Sequence, residues 1–198
     1  MKSFLLSLLL CASTLAAPPY CSTNKVESGK ITDKSIYQIE TEWTSDFGKK
    51  MKLDRLRGKP QVIAMFFTSC EFACPVLVHD VRRIEAALPE NLRTNVGFVL
   101  VTFDVQRDTV ETLHAYREKL KLDSDRWLLL RGESEDIFEL SALLGVKFKK
   151  DQRGQFAHSN IITILNPNGE IIHQQIGLNQ DPAASVKALE QSLAPSLN

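Results

Sequence analysis

The chain has 198 residues, with 24 Lys and Arg against 24 Asp and Glu, 43% hydrophobic residues, nine Gly, eight Pro and four Cys. That composition suits one compact domain and excludes collagen-like, low-complexity and wholly disordered chains. A pI near 6.9 leaves no global positive field for a phosphate backbone, so nucleic acid is not an expected partner.

The N-terminus reads as an address. Met1-Lys2 is a short positive start, residues 4–10 are apolar, and residues 12–17 form a small-residue tail with cleavage expected after Ala16. The apolar stretch is shorter than the ~20 residues of a membrane-spanning helix. Leu10 before Cys11 and Tyr20 before Cys21 are too bulky for lipoprotein processing. The expected organisation is a signal peptide over 1–16, a flexible leader over 17–33 and one domain over 34–198. The mature chain is then exported and periplasmic with no membrane span; a retained anchor is the alternative. Cys11 leaves with the signal, so Cys21, Cys70 and Cys74 remain as one pair and one spare thiol.

Residues 36–43 and 50–53, around Phe47-Gly48, suggest an N-terminal hairpin. Residues 61–67 are a continuous apolar run that predicts a strand buried on both faces. Leu77, Val81, Ile84 and Leu88 recur at helical spacing, and that helix should end near Pro89. Residues 96–103 predict a second buried strand, which makes a right-handed parallel βαβ unit. Asp108 can cap a helix carrying Leu113, Tyr116 and Leu120; a short strand over 127–130 and a helix over 134–144, stopped by Gly145, follow.

The pattern then changes. Residues 161–165 and 170–176 flank Asn166-Pro167-Asn168-Gly169, an antiparallel hairpin signal, and Asp181-Pro182 opens a last helix. The expected fold is α/β and thioredoxin-like: a central mixed sheet, parallel βαβ half plus antiparallel ββα half, flanked by helices and preceded by the hairpin. Chemistry in such sheets sits beyond the carboxyl ends of the strands.

There the sequence places Thr68-Ser69-Cys70-Glu71-Phe72-Ala73-Cys74-Pro75. Proline disfavours helical geometry in the residue before it, so Cys74 is expected as the helix cap with Pro75 in the first helical position. The helix dipole would then favour thiolates and lower the thiol pKa. Three intervening residues suit either a disulfide-forming dithiol or two sulfur ligands around a soft metal ion, and the spacing alone does not choose. Of four histidines, His79 lies one turn into the helix, His114 reads as a surface residue and His173 as structural or exposed. His158 differs. It enters the last hairpin in Phe156-Ala157-His158-Ser159-Asn160, where thioredoxin-like enzymes keep a proline beside their cysteines.

These residues resemble the Sco/SenC family. The resemblance runs from about residue 36 to 178 and rests on Phe67 through Pro75, on Thr102-Phe103-Asp104-Val105-Gln106-Arg107-Asp108-Thr109, on His158-Ser159 and on the turn Asn168-Gly169. It implies a thioredoxin-like copper protein that helps assemble the binuclear copper centre of cytochrome c oxidase, with Cys70, Cys74 and His158 as copper ligands. The family's Val-Asp-Pro-Glu stretch stands here as Phe103-Asp104-Val105-Gln106. The retained Asp104 is expected beside the metal or at a docking surface.

The favoured expectation is a copper chaperone handling Cu(I) or Cu(II), with a copper-accepting protein such as a cytochrome c oxidase subunit as partner. The alternative is a thiol–disulfide oxidoreductase using Cys70 and Cys74 as a redox-active dithiol. A Cys₂His set also suits zinc. A sensor without catalysis ranks below both, and a peroxidase is disfavoured because Phe67 stands where a threonine would be needed.

Overall fold

The run after Pro60 forms a strand buried at every position, and the rest of the fold is laid around it. The computed structural model describes residues 31–152, 154 and 156–194; the expected signal peptide, most of the leader, Cys11 and Cys21 lie outside the described residues. In chain order the strands are β1 (Trp43–Ser45), β2 (Lys50–Met51), β3 (Gln61–Phe66), β4 (Gly97–Thr102), β5 (Trp127–Arg131), β6 (Phe148–Lys150), β7 (Phe156–His158), β8 (Ile161–Leu165) and β9 (Ile171–Ile176). The helices are α1 (Ala73–Ala87), α2 (Glu90–Arg93), α3 (Val110–Leu120), α4 (Ser134–Leu143) and α5 (Ala183–Leu193).

Seven strands form one sheet in the order β2-β1-β5-β4-β3-β8-β9, and β6 and β7 form a separate hairpin. β3, β4 and β5 run parallel, whereas β1, β2, β8 and β9 join antiparallel. This is the expected thioredoxin-like mixed sheet. β3, β4 and β8 are buried at every residue, as strands covered on both faces must be. α1 packs on β3 and α5, α5 on β8 and β9, and α3 on β5. Phe98 stacks on Trp127 at 5.1 Å between ring centroids, and the Trp127 indole donates to Glu85 Oε2 on α1 at 3.0 Å.

The N-terminal hairpin is shorter than expected, because residues 36–38 form a 3₁₀ turn capped by the Ser35 hydroxyl, which accepts the Tyr37 amide at 3.1 Å. Burial of Ile36 and Tyr37 outweighs their strand preference. The Tyr37 ring lies over Gly169, whose φ is +81° and where a Cβ would stand 2.5 Å from that ring. A buried ion pair ties the turn after β1 to α3: Arg117 Nη2 donates to Asp46 Oδ1 at 2.9 Å and Nε to Oδ2 at 2.5 Å.

Gly145, with φ +67°, follows the end of α4 as expected, and the Asp181 carboxylate accepts the Ala183 amide at 3.0 Å where α5 begins. Asp108 is not the cap of α3. Thr109 is, accepting the Thr112 amide at 3.2 Å, while Asp108 is buried behind the cysteine loop. The short α2 and the β6–β7 hairpin went unread in the sequence. Strands of three residues carry no legible alternation, and this pair is held by ring contacts, Phe148 stacking on Phe103 at 5.1 Å and on Phe138 at 5.1 Å.

Candidate metal centre

β3 delivers its carboxyl end to a loop over 67–72, which carries Cys70 and leads into α1. The helix begins at Ala73, so Cys74 lies inside the first turn and not at the cap. First-turn amides have no intrahelical acceptor, so Pro75 removes no helical bond there. The Cys74 amide instead donates to Cys70 Sγ at 3.3 Å, and the sulfur takes the place of a missing cap side chain, since Phe72 makes no capping bond.

Cys74 is 0% exposed and Cys70 is half-buried; both are free thiols. Burial pushes the Cys74 thiol well up from its ordinary range, reinforced by charge on Cys70 and Asp108 and opposed by the backbone at Phe67. The expected dipole-lowered thiolate is therefore overturned at this residue. A helix terminus contributes ~0.3–1 kcal/mol at an exposed site, less than the cost of putting an unpaired charge in the core.

His158 ends β7. Its Nδ1 lies 3.0 Å from the Ser159 carbonyl, which can only accept, so Nδ1 carries a hydrogen and, in the neutral ring, Nε2 presents a lone pair. That lone pair faces Cys74 Sγ at 3.5 Å. The imidazole packs against Phe103 at 5.1 Å and edge-on to Phe67 at 6.0 Å. This burial holds its pKa below the ordinary 6.5 despite the Ser159 bond, which acts the other way.

The ligand atoms of Cys70, Cys74 and His158 lie within 4.8 Å of one another, the one such cluster among the described residues. An ion bound at ~2.3 Å by sulfur and ~2.0 Å by nitrogen holds its ligands within ~4.6 Å of each other. The three side chains thus fit a soft metal ion with little movement, and its charge would replace the proton between Cys74 and His158. His79 is exposed on α1, His114 leans edge-on against Phe47 at 5.4 Å, and His173 sits on β9; none joins the cluster.

Asp104 does not join it either. Its carboxylate is buried against Arg107, and its amide donates to the Thr102 hydroxyl at 3.0 Å. Sequence reasoning missed the role of Asp108, which accepts the Thr68 amide at 3.0 Å, the Thr68 hydroxyl at 2.5 Å and the Thr102 hydroxyl at 2.5 Å. These bonds fix the start of the cysteine loop to the end of β4. The signal was present as two threonines around one aspartate, but the same residues also read as a helix cap.

A thioredoxin-like sheet with two cysteines beyond the carboxyl end of β3 and an imidazole facing them defines a class, the thiol-bearing domains that bind a soft metal or exchange electrons. Within that class, the SCO1/SenC family model matches residues 30–194. The chain belongs to the SCO1/SenC family. A Stutzerimonas stutzeri protein whose name provisionally describes it as copper-binding is 27% identical over 143 residues, 70% of this chain and 68% of that one. The crystal structure of a SCO1/SenC family lipoprotein from Bacillus anthracis str. Ames matches with a TM-score of 0.69 at 25% identity, over 76% of this chain and 90% of that one. Arabidopsis thaliana ScoI with copper bound shares the fold at a TM-score of 0.67 and 22% identity, over 77% and 95%.

Proposed function

We propose that this protein is an exported copper-binding metallochaperone that delivers copper to the binuclear copper site of cytochrome c oxidase, or prepares the cysteines of that site. The observation that carries the reading is His158 Nε2 standing 3.5 Å from Cys74 Sγ while Nδ1 is engaged by the Ser159 carbonyl, with Cys70 in the same cluster. Two sulfurs make the set soft enough for Cu(I), and the imidazole tolerates Cu(II). Copper is the cargo. Loading displaces the thiol protons, and Cys70, the accessible sulfur, is where an acceptor's thiolate would approach. Phe72, 82% exposed beside it, offers that acceptor an apolar contact.

Residues 1–16 serve in this reading as the export signal and 17–33 as a leader to the domain over 34–198. Among the described residues no helix is long and apolar enough to cross a membrane. Asp104 contributes from behind the ligands, through Arg107.

The test is a titration of reduced protein with Cu(I) under a competing chelator, and in parallel with Zn(II), using wild type, His158→Ala and Cys70→Ser. Copper binding weakened in both variants and preferred over zinc is the expected result. Unchanged affinity in both variants removes the metal reading.

A second reading, thiol–disulfide exchange, is favoured by the unequal burial of the sulfurs. Cys70 is accessible for attack on a partner disulfide, and Cys74 lies behind it to resolve the mixed disulfide. Loss of copper binding in Cys70→Ser alone would favour it.

A further inference from the structure

The cysteines and the histidine sit on two separate pieces of the fold, and beside the ring contacts of Phe67 and Phe103 the charged side chain of Arg107 reaches both. On one side its guanidinium carbon lies 5.9 Å from the centroid of the Phe67 ring, on the residue just before Thr68 and the cysteine loop. On the other it lies 5.9 Å from the Phe156 ring on β7, two residues before His158. Its Nη2 donates to the Gly154 carbonyl in the turn between β6 and β7 at 2.7 Å. Its Nε is held by the buried Asp104 carboxylate.

Asp104 is itself anchored. Its amide donates to Thr102 Oγ1, and that hydroxyl donates to Asp108, the acceptor of the Thr68 amide. A continuous polar path therefore runs from the cysteine loop through Thr68, Asp108, Thr102, Asp104 and Arg107 to the turn of the histidine hairpin. Ring contacts seat the hairpin on the domain, Phe148 against Phe103 and Phe138 and Phe156 against Phe67 and Phe103. It belongs to no larger sheet, and to that apolar seat Arg107 adds a polar tie at the Gly154 carbonyl, while Lys150 reaches Gln106 through an exposed contact at 2.8 Å. A planar fork that donates in two directions while lying within cation–π range of two rings is a task for arginine, not lysine.

We propose that Arg107 is a positioning residue that latches the β6–β7 hairpin onto the cysteine loop and so sets where His158 stands relative to the sulfurs. The latch is a property of the metal-free protein. Its consequence for copper rests on the function proposed above.

Two variants of the full domain test it. Arg107→Ala removes the fork, and the double change Asp104→Asn with Arg107→Gln removes it without leaving a buried carboxylate unpaired. Hydrogen exchange at the amides of β6 and β7 should accelerate roughly tenfold or more in both variants, with β3 and α1 unchanged. Unchanged hairpin exchange, or an equal acceleration across the whole domain, overturns the latch.

Cu(I) release to a competing chelator should be faster in Arg107→Ala. It should be no faster in Arg107→Ala with His158→Ala than in His158→Ala alone, because the arginine acts through the histidine. Additive losses overturn that role. Faster hairpin exchange in a protein that binds no Cu(I) in its wild-type form retains the latch and sinks the copper function.

Discussion

Cys74 Sγ and His158 Nε2 stand 3.5 Å apart although 84 positions separate them in the chain. The contact is sulfur to an imidazole nitrogen whose partner atom is already committed to the Ser159 carbonyl. With the ring neutral, a thiol hydrogen can bridge that gap in the metal-free protein, and a soft cation can take that hydrogen's place.

Replacing the histidine therefore has two separable effects. His158→Ala should weaken Cu(I) binding by more than the roughly 100-fold typical of losing an outer partner of a metal ligand. It should also lower the unfolding free energy of the metal-free protein by about 1–2 kcal/mol, through lost contact with Phe67 and Phe103. Chelator competition reads the first, and urea unfolding reads the second.

The pH profile of the metal-free protein follows from the same burial. His158 is depressed below 6.5 in the folded state, so between its folded value and 6.5 the unfolded chain binds more protons. Its contribution is complete above 6.5 and declines as pH falls through the folded value. Cys74 has the opposite sign. Its raised pKa gives stability that is complete below the unfolded value of 9.0 and is lost progressively as pH rises above it. Urea unfolding from pH 5 to 10 should show both flanks, and His158→Ala should flatten the acidic one.

Asp108 supports the cysteine loop with three accepted hydrogen bonds and no exposure. Asp108→Ala strands the Thr68 amide and two hydroxyls, and should destabilise the domain by about 3 kcal/mol or more. Cys70 should become more reactive toward an alkylating reagent in native buffer as the loop loosens, which a timed mass-spectrometric assay would follow.

The Asp46–Arg117 pair lies far from the sulfurs in function, yet it governs stability. Asp46→Ala leaves the buried guanidinium without its counter-charge and should cost about 3–5 kcal/mol. Asp46→Ala combined with Arg117→Met should recover much of that loss in the same urea titration.

Phe72→Ala should shift the unfolding free energy by no more than about 0.5 kcal/mol, because the ring is 82% exposed. Its effect should appear instead as slower transfer of Cu(I) to a cysteine-bearing acceptor, measured by rapid mixing.

Much of this protein was legible before any coordinates. Continuous apolar runs at 61–67 and 96–103 mark strands covered on both faces, and the Asn168-Gly169 turn marks the last hairpin, because backbone geometry and two-sided burial act over a few neighbouring residues. The cysteine pair was equally visible, since its spacing is local. The β6–β7 hairpin was not: its strands of three residues are held by Phe103 and Phe138 from elsewhere in the chain.

The same division runs through the site. That Cys70, Cys74 and His158 belong together as a candidate ligand set could be read from residue types and resemblance. The protonation of Cys74, the tautomer of His158 and the burial of Asp104 and Asp108 could not. Those depend on how far water is excluded and on which distant carbonyl or hydroxyl arrives beside each group. Solvent exclusion is produced by the assembled sheet and helices, so it exists only once the chain has folded.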